Sequence, residues 1–144
     1  MRFTTRTEYG LICLIYMAHQ KGERAVTAKE IAAGEKFSLT FTEKILQKLK
    51  AAGLVESLQG NHGGHILARD ASQITLKEIV EALEGHTFDV FCEPRIRSAI
   101  VCNHFHLCGV KPVWNKTKEL LDEYYESITL DQLANPNLAK ASAA

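Results

Sequence analysis

The stretch running from Thr40 to Ala68, TFTEKILQKLKAAGLVESLQGNHGGHILA, holds two periods in one segment. Its first part sets Phe41, Ile45, Leu46 and Leu49 three and four apart, which predicts a helix from Thr40 to about Ala51 with Gly53 as its stop. The pattern then shortens. Leu54–Leu58 and His65–Ala68 are short β-compatible runs, and the six residues between them, Gln59-Gly60-Asn61-His62-Gly63-Gly64, form a strong turn signal. A helix that feeds directly into a glycine-tipped hairpin is the expectation.

The flanking sequence extends this reading. A Ser or Thr followed three residues later by Glu or Gln marks a helix start, because each side chain can satisfy the other residue's free backbone N–H. Such pairs stand at Thr5/Glu8, Thr27/Glu30, Thr40/Glu43, Thr75/Glu78 and Thr129/Gln132. They predict helices from Thr5 to Gln20 with Gly22 as a stop, from Thr27 to Ala33 ended by Gly34, and from Thr75 to Leu83 ended by Gly85. A longer helix starts with Pro112 near its first turn. The expected fold is mainly α: a winged helix-turn-helix with a small β-hairpin wing, followed by a long C-terminal dimerisation helix. The expected organisation is a DNA-binding domain over 1–85, a cysteine-bearing loop over 86–111, a dimerisation helix and C-terminal segment over 112–134, and a frayed tail over 135–144.

The 144 residues have the size of one ordinary domain, and 46% apolar with 24% charged residues excludes a disordered or low-complexity chain. The formal net charge is zero but unevenly spread. Residues 1–69 carry ten Lys/Arg against six Asp/Glu, or +4, and residues 70–144 carry seven against eleven, or −4. The first half therefore suits a polyanion. The apolar run Leu11–Ala18 behind Arg2 and Arg6 imitates a signal peptide. However, Glu8 interrupts the basic region, no A-x-A site follows, and the run is too short to span a bilayer. A cytoplasmic protein with no membrane partner is expected.

In helix-turn-helix proteins the second helix of the pair enters the major groove. The outer face of the Thr40–Ala51 helix offers Thr40, Thr42, Glu43, Lys44, Gln47 and Lys48. Lys44 and Lys48 suit phosphates, Glu43 can accept from cytosine N4, and Gln47 can read adenine. In the wing, Gly60, Gly63 and Gly64 allow close backbone approach to DNA, with Gln59, Asn61, His62 and His65 as polar contacts. Two blander readings compete: Glu43 as the partner of Thr40 in a capping box, and the lysines as a solvated face.

Residues 86–111 show no clean period and contain three Cys and three His. Cys92, Cys102 and Cys108 are spaced C-x9-C-x5-C, which matches neither the short pairs of zinc fingers nor a C-x-x-C redox motif. Three thiolates on one loop suit an iron–sulfur cluster that needs a fourth ligand. His104, His106, Glu8, solvent or a small thiol are the candidates. Zinc held by two Cys and two His, and a thiol pair that oxidises to a disulfide, are competing readings. Cys13 lies on the apolar face of the first helix and reads as a buried, inert thiol.

Trp114, Thr117, Leu121, Tyr124 and Ile128 alternate by three and four, a seam-like stripe. A helix of about sixteen residues is roughly 24 Å long, sufficient to pair with a second copy. A homodimer on a near-palindromic duplex operator is expected, with recognition helices roughly 34 Å apart or a multiple of that.

Taken in order, these motifs resemble the Rrf-two family of bacterial winged-helix regulators, which includes IscR, NsrR and RirA. The match begins with Met1-Arg2-Phe3-Thr4 and continues through Ser38–Leu54 and Gly63-Gly64. It then takes in Ala71–Leu76, the three Cys and Ile128–Leu133. The resemblance implies a dimeric transcription factor, not an enzyme, carrying an iron–sulfur cluster (2Fe–2S or 4Fe–4S) on Cys92, Cys102 and Cys108, which aerobic preparation can remove. In some members a carboxylate on the first helix of the partner subunit completes the coordination, and Glu8 matches that place. IscR-type members use a His shortly after the third Cys, where this chain has Lys111. Family wings often carry Arg where this one has Gln59, and the gap between the first two Cys is longer than in common members. The expected function is operator binding switched by cluster state in response to iron–sulfur status, oxidants or nitric oxide. Its rivals are the same regulator with zinc or a thiol switch, a small thiol oxidoreductase, and an electron carrier.

Overall fold

The computed structural model of the chain describes residues 3–20, 24–90, 102–104 and 106–137. Gly22, Cys92 and the tail beyond Asn137 lie outside the described residues. The described elements are α1 (Thr5–Ala18), α2 (Ala28–Glu35), α3 (Leu39–Ala51), β1 (Val55–Leu58), β2 (Gly64–Leu67), α4 (Leu76–Glu84), α5 (Val110–Glu126) and α6 (Leu130–Ala134), with a 3-10 turn at Ala71–Gln73. The two strands pair antiparallel, Val55 opposite Leu67 and Leu58 opposite Gly64. The mainly helical winged fold expected from the sequence is the observed one.

Three of the five capping boxes form. Thr27 with Glu30, Thr75 with Glu78 and Thr129 with Gln132 each exchange the reciprocal bonds. The other two do not. α1 is capped by Thr4 rather than Thr5, and α3 by Ser38 rather than Thr40, with no side-chain cap bond at either. In both cases the chain turns helical before the expected Thr, which leaves that Thr inside the first turn. The second helix runs past Gly34 and ends at Lys36, which takes the left-handed conformation itself at φ 58°. α1 stops at Ala18 rather than Gln20.

The core gathers one face each of α1, α2, α3 and α4, with Leu130 of α6. Leu14, Ile31, Ile45, Leu46, Leu49, Leu54, Ile74, Ile79, Leu83 and Leu130 are all essentially inaccessible. Gly10 lets α1 approach α4 closely, since a Cβ there would stand 2.3 Å from Leu83 Cδ1. Tyr9 stacks on Phe37 at 3.9 Å and meets Phe41 edge-on at 5.3 Å, which seats the α2–α3 turn against α1.

The C-terminal segment folds back. Leu76 N donates to Ile128 O and Leu130 N to Ile74 O, both at 2.8 Å, so α6 returns to the same core through Leu130. The long helix α5 is thereby fixed at one end to the winged domain.

Candidate nucleic-acid interface and cysteine segment

α3 lies with Ile45, Leu46 and Leu49 inward and Thr40, Glu43, Lys44, Gln47 and Lys48 exposed. Thr42 departs from the outward set. Its side chain is fully buried, and its hydroxyl donates to Ser38 O at 3.0 Å. It stands three residues before Ile45 and four before Leu46, so the same period that placed those residues inward carries it along. Glu43 has no capping duty, because Ser38 holds the cap position.

The wing is anchored at its root. Val26 N donates to His65 O at 2.9 Å and His65 N to Val26 O at 2.7 Å, joining β2 to the residue just ahead of α2. Burial, with Lys50 nearby, lowers the His65 pKa and favours the neutral imidazole. Gln59, Gly60, Asn61 and His62 are exposed at the tip; Gly63 and Gly64 are half-buried. At Gly64, φ is 153° and a Cβ would stand 2.6 Å from Val26 O, so both conformation and space require glycine.

The C-terminus of α4 joins several elements. The Leu83 carbonyl accepts from Arg6 Nη1 and from Lys48 Nζ, each at 3.3 Å. Thr4 and Thr7 donate their hydroxyls to the Glu84 carboxylate. Burial alone would raise the Glu84 carboxyl, but these two donors and the Arg6 charge outweigh it and hold it below its ordinary range. Two residues past Gly85, buried Thr87 donates to Asp122 on α5, which also pairs with Lys118 at 2.6 Å. Phe88 lies against Trp114 with ring centroids 6.0 Å apart. The residues leading into the cysteine loop thus touch α1, α3 and α5.

Cys102 is exposed and Cys108 half-buried, both as free thiols, and Cys108 precedes the α5 cap residue Gly109 by one position. His104 and His106 are exposed between them. Among the described residues no group of three His, Cys, Asp or Glu comes together closely enough to hold a metal ion. Cys92 is not among them. Glu8 is exposed on the first turn of α1. Cys13 is fully buried, and burial, followed by the charge of Glu35, pushes its thiol up to about 12.

On α5 the expected stripe divides. Trp114 and Tyr124 are exposed, whereas Thr117 and Leu121, and Ile128 just past the helix, are half-buried. Val110, Val113 and Leu120 extend the exposed apolar face, and Tyr125 turns inward toward Phe3.

The Rrf2 family profile, described as "Iron-dependent Transcriptional regulator", matches residues 3–136. The chain belongs to the Rrf2 family. It is 30% identical over 133 residues to the protein rrf2 of Nitratidesulfovibrio vulgaris, covering 92% of this chain and 87% of that one. Among solved structures it is similar to Bacillus subtilis CymR, titled the global cysteine regulator. That match has a TM-score of 0.75 and 28% identity over 93% of this chain and 96% of the other. It is also similar to T. potens IscR, with a TM-score of 0.72 and 31% identity over 97% and 91%. This Rrf2 chain is therefore a DNA-binding transcriptional regulator, and its relatives are regulators rather than enzymes. Among the described residues no helix is long and apolar enough to cross a membrane.

Proposed function

We propose that this Rrf2 regulator is a cytoplasmic homodimer whose affinity for a near-palindromic operator is switched by an iron–sulfur cluster. The single observation that carries the reading is the placement of the cysteine segment. Accessible, unbonded thiols at Cys102 and Cys108 sit at the entrance to α5, on the chain that leaves the α4 terminus where recognition helix and first helix meet. The donor set fits the group in its chemistry, since iron–sulfur clusters take thiolates. Cys92, Cys102 and Cys108 would hold it, with Glu8 of the partner subunit as fourth ligand and His104 or His106 as weaker candidates. When bound, the cluster supplies a redox- and nitric-oxide-sensitive centre.

The chain's own residues supply the coupling. Thr87 on Asp122 links the loop's first residues to α5, and Glu84 on Thr4 and Thr7 links α4 to the turn that carries Glu8. A change in how the 86–111 loop is held alters which arrangement of winged domain and dimer helix is favoured. DNA affinity shifts only by the difference in binding between those arrangements. Val110, Val113, Trp114, Leu120 and Tyr124 form the exposed face on which a second copy packs. For base reading we assign Thr40, Glu43 and Gln47, with Lys44 and Lys48 on phosphates and Gln59, Asn61, His62, Gly63 and Gly64 at the wing.

A second reading, a metal-free thiol switch on the same residues, is favoured by the likeness to CymR, whose Staphylococcus aureus form is also known in an oxidized structure. The test is an absorption spectrum of protein purified without oxygen, with iron, sulfide and zinc assayed on the same sample. Broad visible absorption with matching iron and sulfide supports the cluster. Colourless protein without iron, even after anaerobic reconstitution, refutes it in favour of zinc or thiol chemistry.

A further inference from the structure

A groove of about 550 Å³ runs beside the recognition helix on the edge that faces α1. Arg6 lines one wall, Lys44, Gln47 and Lys48 the other, with Phe41 and Ala51 among its apolar floor. In the sequence Arg6 stands out only as part of the basic stretch ahead of the apolar run. It sits in the first turn of α1, far in sequence from α3, and only the fold brings the two together.

We propose that Arg6 completes a cradle with Lys44 and Lys48 for one backbone phosphate of duplex DNA, an inference that rests on DNA binding by α3. The charge arrangement is unbalanced. Three cations line the groove, and among the described residues none of the three forms an ion pair within 4 Å. The carboxylate that feels the Arg6 charge is Glu84, which accepts from Thr4 and Thr7. Glu8 follows Arg6 by two positions and so faces away along the helix, and Glu43 stands on the outward face of α3.

The Leu83 carbonyl draws two of the three cations together. As a C-terminal group of α4 it carries partial negative charge, and it holds Arg6 and Lys48 at 3.3 Å each. Two long side chains are thus positioned before any ligand arrives, which lowers the entropy cost of binding. The bond to Leu83 uses one N–H of Arg6; the remaining guanidinium donors are free to fork onto a phosphate. Lys44 and Gln47 line the groove and are also exposed on the base-facing side of α3, so a strand lying along that face passes the groove mouth. A phosphodiester is the anion that such a strand delivers.

The experiment is fluorescence anisotropy of the full chain on a mixed-sequence duplex across a KCl series. Arg6→Gln lowers the steepness of log affinity against log salt by up to about 0.9, the value for one phosphate no longer neutralised. Lys48→Gln does the same, Arg6→Lys keeps the wild-type slope, and Lys116→Gln, on α5 and away from the groove, leaves it unchanged. Circular dichroism confirms that each variant is folded. A wild-type slope in both Arg6→Gln and Lys48→Gln overturns the cradle while leaving DNA binding in place. Failure of the wild type to bind the duplex would overturn both.

Discussion

Replacing Gly64 by Ala tests whether the wing root is a built joint or an incidental contact. An added Cβ meets Val26 O at 2.6 Å and Val26 C at 2.8 Å. Both are backbone atoms, so no side chain can rotate away. Reaching ordinary contact at 3.4 Å requires a shift of about 0.8 Å. That shift stretches the two Val26–His65 hydrogen bonds, now 2.9 and 2.7 Å, beyond useful length. Each is worth about 1 kcal/mol, and the strained backbone at φ 153° adds about 1–3 kcal/mol. The expected loss is about 3–5 kcal/mol. Gly53→Ala is the control: it shares a positive φ, 73°, but nothing lies within 4 Å of its Cβ, so it should cost about 1 kcal/mol. Urea unfolding followed by circular dichroism measures both. Equal losses in the two variants would refute the steric argument and leave only backbone conformation.

Three further outcomes are expected. Thr42→Val should cost roughly 1 kcal/mol by removing the bond to Ser38 and leave operator preference untouched, whereas Glu43→Ala should change base preference more than affinity; selection from a random duplex pool, alongside thermal melts, compares them. Native protein should label at Cys102 and Cys108 but not at Cys13, whose thiol stays protonated and enclosed; peptide mapping after brief iodoacetamide treatment reads this, and rapid labelling of Cys13 contradicts the assigned burial. Because the folded Glu84 carboxyl is held below its ordinary value of 4.5, its contribution to stability is present above that pH and lost as pH falls through the lowered value. Glu84→Gln should therefore flatten the acid limb of a stability–pH curve, and an unchanged limb would show that the Thr4 and Thr7 bonds carry no such linkage.

The helix starts show how local signals can be overtaken. Thr27, Thr75 and Thr129 cap as the sequence predicts, each held by reciprocal bonds with the Glu or Gln three residues on. Thr5 and Thr40 carry the same signal, but the chain enters the helix one or two residues earlier, at Thr4 and Ser38. The hairpin was readable from the change of period and its glycines. The inward turn of Thr42 was readable too, since it shares the stripe of Ile45 and Leu46, but its polarity argued for the surface.

The elements and the residue types on each are legible in the chain alone, because helical period, capping pairs, the glycine-rich turn and three clustered thiols act over one turn or one loop. Which residues meet depends on how those elements pack. Arg6 and Lys48 share Leu83 O, Glu84 ties α4 to α1, Thr87 reaches Asp122, and Leu130 returns to the core of the winged domain. These contacts join residues 35 to 80 positions apart, and they exist because several amphipathic faces are buried at once around one core. No pattern confined to a single helix encodes that arrangement.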